Sequence, residues 1–102
     1  MKIPIGYRPD VIARRVALLR AYAKGGKRGR ATRDASREVR QKELTRCRFA
    51  IYHDSYILRT LGLITATAQK GIPRTGKRSL EIFFRVTEAG QNVLDMYEGD
   101  WE

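Results

Sequence analysis

Between Leu63 and Thr87 the residue pattern changes period, and no other feature restricts the fold as tightly. Leu63–Gln69, LITATAQ, is rich in β-branched residues and free of charge, which predicts a strand. Leu80–Thr87, LEIFFRVT, alternates: Leu80, Ile82, Phe84 and Val86 share one face, Glu81, Phe83, Arg85 and Thr87 the other. Lys70–Ser79 between them, KGIPRTGKRS, is rich in turn formers and bases and reads as a hairpin loop. A two-stranded hairpin is marginal alone in water, so these strands must pack on their neighbours in the chain.

Those neighbours have helical period. Pro9 and Asp10 suit a first helical turn, with a fixed φ and a carboxylate facing the helix dipole. Ile12, Val16, Leu19 and Ala23 then recur at helical spacing, widened by Val11, Leu18 and Tyr22, and Gly25 and Gly26 end the run. Lys24–Arg30, KGGKRGR, reads as a flexible basic loop over about residues 24–31. Thr32 is a candidate cap for a second helix running to about Leu44, with only Ala35, Val39 and Leu44 as apolar anchors. A third helix is expected from about Arg46 to Leu61, either separate from the second or continuous with it through a bend. At 100° per residue, Cys47, Ala50, Ile51, Ile57, Leu58 and Leu61 fall on its inward face. Asp54 falls in the middle of that face, and a buried carboxylate there needs a partner. Arg48, Tyr52, Ser55, Tyr56 and Arg59 fall outward. Thr87 is positioned to cap a last helix that turns Ala89, Val93, Leu94 and Tyr97 inward, with Trp101 near its end. The expected architecture is one domain over residues 1–102, mainly α with a small β-hairpin, in the order α-α-α-β-β-α.

Charge narrows the function. The chain carries 21 Lys+Arg against 11 Asp+Glu, a formal net charge of +10 at pH 7. Its pI of 10.4 exceeds the value of roughly 9 at which a basic surface reads as a nucleic-acid footprint. Thirteen bases lie from Arg14 to Arg48, opposed only by Asp34, Glu38 and Glu43. Lys70, Arg74, Lys77, Arg78 and Arg85 form a second cluster, whereas every charged residue after Val86 is acidic. Such asymmetry orients a molecule on a polyanion. Cys47 and His53 are the only residues of their types, so no Cys/His zinc site and no intrachain disulfide can form. The longest charge-free stretch, which includes Leu61–Gln69 and begins at Thr60, falls far short of the roughly 20 apolar residues that span a bilayer. MKIPIGYRPD lacks the apolar run of a signal peptide. A cytoplasmic, nucleoid-associated protein is the expectation, without metal, cofactor, membrane or small-molecule partner.

The order of elements, together with LRTLGLITATAQKG…RSLEIFFRVTEAGQNVL at Leu58–Leu94, resembles winged helix-turn-helix domains of the MarR and PadR type of transcriptional regulator. The joint Leu58, Leu61, Gly62, Leu63 and Ile64 matches the end of a recognition helix in those families. Thr87, Glu88, Ala89 and Gly90 match the helix start that follows the second wing strand. The likeness is good from about Arg46 to Leu94 and rests on element order alone before that. The second helix is more charged than is usual there, the basic loop stands where a short strand is often found, and no long dimerisation helix follows.

The resemblance implies that the helix from Arg46 to Leu61 enters the major groove of double-stranded DNA and that the loop at about residues 70–79 is the wing. It assigns DNA contacts to Arg46, Arg48, Tyr52, Ser55, Tyr56 and Arg59, and to Arg74, Lys77 and Arg78 at the wing. The basic loop adds Lys27, Arg28 and Arg30. Arginine can bond guanine bidentately, and hydroxyls reach phosphates or base edges. A transcriptional regulator, a repressor before an activator, is expected, with a homodimer through Tyr97 and Trp101 or through the first helix. No catalytic constellation is visible: His53 and Ser55, two apart, do not face each other on a helix. RNA or ribosome binding, and a small basic ribonuclease toxin, remain alternatives, because electrostatics alone does not separate DNA from RNA.

Overall fold

The computed structural model describes residues 5–41, 48–67 and 83–98. Among these residues it is a mainly helical α+β structure with four α-helices and a three-stranded antiparallel sheet. Helix α1 spans Pro9–Ala23, with Pro9 and Asp10 in its first turn as expected. It supplies the largest share of the core through Val16, Ala17, Leu18, Leu19, Ala21 and Tyr22. A single 3-10 turn at Gly26–Arg28 leads into strand β1, Arg30–Ala31. Helix α2 covers Thr32–Gln41 and helix α3 covers Arg48–Thr60. The stretch that would decide whether these helices are separate or one bent helix, with Leu44, Thr45, Arg46 and Cys47, lies outside the described residues. Strands β2, Ile64–Thr67, and β3, Phe83–Val86, are followed by helix α4, Glu88–Glu98.

The strands run in the order β1-β3-β2, so β3 is central. Ile64 faces Val86 and Thr67 faces Phe83 across one edge; Arg30 faces Phe84 and Ala31 faces Phe83 across the other. The end of the basic loop is therefore a strand, which corrects the expectation of an irregular loop through residue 31 and of a sheet with only two strands. A central β3 with one free edge would leave backbone N–H and C=O groups unpaired. Two residues of β1 cover that edge, and their register depends on a segment more than fifty residues away in sequence.

The joint between α3 and the sheet is built by short-range chemistry. Leu63 N–H donates to Leu58 O and Gly62 N–H to Arg59 O, both 3.0 Å, with Gly62 at φ +76°. This pair of bonds satisfies the last carbonyls of the helix and needs a residue that accepts left-handed φ. Thr87 then serves both sides of the joint: its hydroxyl donates to Gly62 O at 2.6 Å and accepts from Gly90 N–H at 3.1 Å, capping α4. Gly90 sits so close to the preceding segment that a Cβ there would lie 2.2 Å from Leu63 O. Only glycine lets α4 start against that carbonyl.

Candidate nucleic-acid interface

Helix α3 packs on α1, α2 and β2. The face it buries is Ile51, Asp54, Ser55 and Leu58, the i, i+3, i+4, i+7 pattern of a core-facing helix. Two of those four residues are polar, and each meets a partner from α1. Asp54 is fully buried. Arg14 Nη2 donates to its Oδ1 at 3.1 Å and Arg14 Nε donates to its Oδ2, a two-pronged grip. Arg15 Nε donates to Oδ1 at 3.0 Å, and Arg15 Nη1 donates onward to the carbonyl of Ile5. One carboxylate thus ties α3 to α1, and through Arg15 to the segment ahead of α1. Both guanidinium groups are themselves mostly covered, with side-chain exposures of 18% and 13%.

Ser55 was expected to face outward, and the structure corrects this. It is 4% exposed, and its Oγ lies 2.9 Å from the Tyr22 hydroxyl. Tyr22 also donates to Thr32 Oγ1 at 3.1 Å, so one buried phenol joins α1, α2 and α3. Its ring meets Phe84 of β3 edge-on, with centroids 5.6 Å apart. Burial raises the Tyr22 pKa above its ordinary 10.0, and the hydrogen bonds to Ser55 and Thr32 moderate the rise. Asp54 is inward as expected; Ser55 joins it, so the buried arc of α3 is shifted toward Ser55 relative to the face read from sequence. Leu61, expected inward, lies in the turn just past the end of α3 and is 40% exposed.

Tyr52, Tyr56 and Arg59 stand on the open side, where the helical spacing places them. Tyr52 is 52% exposed, Tyr56 is 66% exposed, and Arg59 is exposed. Spacings of four and three put the three side chains in one row along the helix. Thr60 donates to the Tyr56 carbonyl at 2.8 Å, closing the last turn below them. Arg48 opens α3 at the same end as Tyr52. Arg46, and the wing residues Arg74, Lys77 and Arg78, lie outside the described residues.

The basic loop divides. Lys27 and Arg28 of the 3-10 turn are exposed. Arg30 is not free for a ligand: its Nη1 donates to Ala21 O at 2.9 Å and reaches Glu38 Oε2 at 3.4 Å. Lys24 pairs with the other oxygen of Glu38. Glu38, one of only three acids in that basic stretch, is occupied in holding the loop to α2. Arg33 and Arg37, one turn apart on α2, are exposed and carry further positive charge. On α4 the exposed charges are acidic, Glu88 and Asp95. Tyr97, expected as a dimer contact, is instead buried within its own core, and Trp101 lies outside the described residues.

Among the described residues, no group of three or more His, Cys, Asp or Glu could hold a metal ion, and no helix is long and apolar enough to cross a membrane. No protein-family model, curated protein or solved structure compared with the chain matches it.

Proposed function

We propose that the protein is a winged helix-turn-helix protein that binds double-stranded DNA with sequence preference and serves as a transcriptional regulator, acting as a repressor. The observation that carries this reading is the row Tyr52, Tyr56 and Arg59. Large side chains left in solvent on a helix whose other face is fixed in the core mark a contact surface. The helix order, the β1-β3-β2 sheet and the short strand between α1 and α2 support the same reading. In it, α3 lies in the major groove, whose width of about 12 Å admits a helix. Arg59 reads a base edge, the tyrosine hydroxyls reach phosphates or base edges, and the loop at residues 70–79 follows the backbone. Arg33 and Arg37 of α2, with Lys27 and Arg28, add phosphate contacts.

Selection of bound duplexes from a random pool tests the reading. An enriched consensus is expected, palindromic if the protein binds as a homodimer. Arg59→Ala is expected to relax preference at one base pair, with a loss of about 1–3 kcal/mol there. Two exposed tyrosines also suit stacking on unpaired bases, which favours single-stranded RNA as the second reading. Equal or tighter binding of single-stranded RNA, or a selection with no consensus, overturns the regulator in favour of that reading.

A further inference from the structure

The end of α1, the 3-10 turn, β3 and α4 border a half-open pocket of about 210 Å³ lined by Ala23, Gly26, Lys27, Arg85, Val86 and Gln91. At about 30 Å³ per water this is room for several waters or a small hydrated anion. Among the described residues, two cations line it and no carboxylate does. That is unusual in this molecule, where Arg8, Arg14, Arg15, Lys24 and Arg30 each pair with an acid. Lys27 and Arg85 are both exposed, and neither side chain has a hydrogen-bond or ion-pair partner among the described residues. The carboxylate one turn along α4, Asp95, accepts from Gln91 Nε2 at 3.1 Å rather than lining the pocket.

The backbone beneath the two cations has a matching shape. Gly25 is right-handed, φ −77° and ψ −13°, and Gly26 follows at φ +58°. Alternation of hand turns neighbouring N–H groups to one side, a concavity that suits anions; the Gly25 N–H is already spent on Tyr22 O at 3.1 Å, so any such contact falls to the amides that follow it. A Cβ on Gly26 would meet nothing within 4 Å, so the turn leaves its side of the pocket open. None of the lining residues belongs to α3, and the turn itself packs on β3.

We propose that this pocket is an anion site holding one phosphate group between Lys27 and Arg85. A phosphate oxyanion removes the repulsion between the two cations, and the Arg85 guanidinium offers it a planar pair of donors while Lys27 supplies a mobile point charge. The phosphate chemistry stands on the pocket alone. Its assignment to the backbone of a duplex, as a contact separate from α3, rests on the DNA-binding reading above.

The test uses the 102-residue chain and inorganic phosphate at constant ionic strength, with chloride as the control, followed by amide NMR. Saturable shifts in the millimolar range are expected at the Gly26 and Lys27 amides and the Gln91 side chain. They are expected to vanish in the Lys27→Gln, Arg85→Gln double variant with no change in melting temperature, since both side chains are exposed. Shifts no larger than those with chloride, or shifts that persist in the double variant, overturn the site. A second arm reads duplex binding against salt. Losing one backbone phosphate contact is expected to lower the log–log slope by about 0.9, with base preference unchanged. An unchanged slope beside intact phosphate shifts in the parent keeps the pocket and overturns its use on duplex DNA. A parent chain that binds no duplex removes the DNA reading, and the phosphate titration still decides the pocket.

Discussion

The two faces of α3 invert the usual division of labour. An acid and a hydroxyl, Asp54 and Ser55, are buried between Ile51 and Leu58, while the aromatic residues Tyr52 and Tyr56 stand in solvent beside Arg59. Burial on this helix therefore follows the supply of partners as much as hydropathy. Arg14 and Arg15 make the interior habitable for a carboxylate, and Tyr22 does the same for Ser55. The tyrosine rings stay in solvent, available to something outside the chain.

Removing the carboxylate is the hardest blow to this arrangement. Asp54→Ala leaves two mostly covered guanidinium groups without their acid, and a loss of about 3–5 kcal/mol is expected in urea unfolding. A loss below about 1 kcal/mol would show that the buried polar face does not hold α3, since that is close to the scale of an ordinary surface change. Alkaline pH strikes the same face through Tyr22. An unfolded chain releases the phenol proton near the ordinary value of 10.0, while burial keeps it on the folded chain to higher pH. The native state therefore binds more protons in that interval. Stability from this group is complete below about pH 10 and falls as pH rises through the folded value. Melting curves across this range should show the fall, and Tyr22→Phe should flatten it. Ser55→Ala removes one hydrogen bond from Tyr22 while Thr32 remains, so about 1 kcal/mol is expected in the same urea measurement. On the open face, Tyr56→Ala and Arg59→Ala should each change stability by no more than about 0.5 kcal/mol. Their effect belongs in binding: duplex affinity should drop while the unfolding curve stays in place. A large stability loss from either would erase the distinction between the faces.

Much of the fold was legible in the sequence because its causes are local. Pro9 opens α1, Gly62 closes α3, Thr87 caps α4, and the change of period at Leu63 separates helices from strands. Each of these depends on a few adjacent residues. Asp54 could also be recognised as needing a partner, but thirteen bases between Arg14 and Arg48 were candidates, and nothing local singled out Arg14 and Arg15. Strand β1 was hidden for a related reason. Arg30 and Ala31 carry no strand pattern in two residues, and they become a strand only because β3 has an edge to cover. Ser55 lies at the boundary of the apolar arc, where hydropathy does not separate inside from outside, and Tyr22 settles its side.

Local residue order accounts for the periods, the caps, the placement of basic and acidic charge along the chain, and the demand for a counter-ion at Asp54. Where the buried arc of α3 ends came from packing alone. Its edge is set by bonds between residues 40 and 33 apart in sequence, Arg14 to Asp54 and Tyr22 to Ser55. A helical wheel weighs each side chain by its hydropathy and makes no allowance for a partner arriving from another helix. Residue order alone already put Asp54 inside and Tyr52, Tyr56 and Arg59 outside; what packing decided is that Ser55 joins the acid in the core, because Tyr22 meets it there.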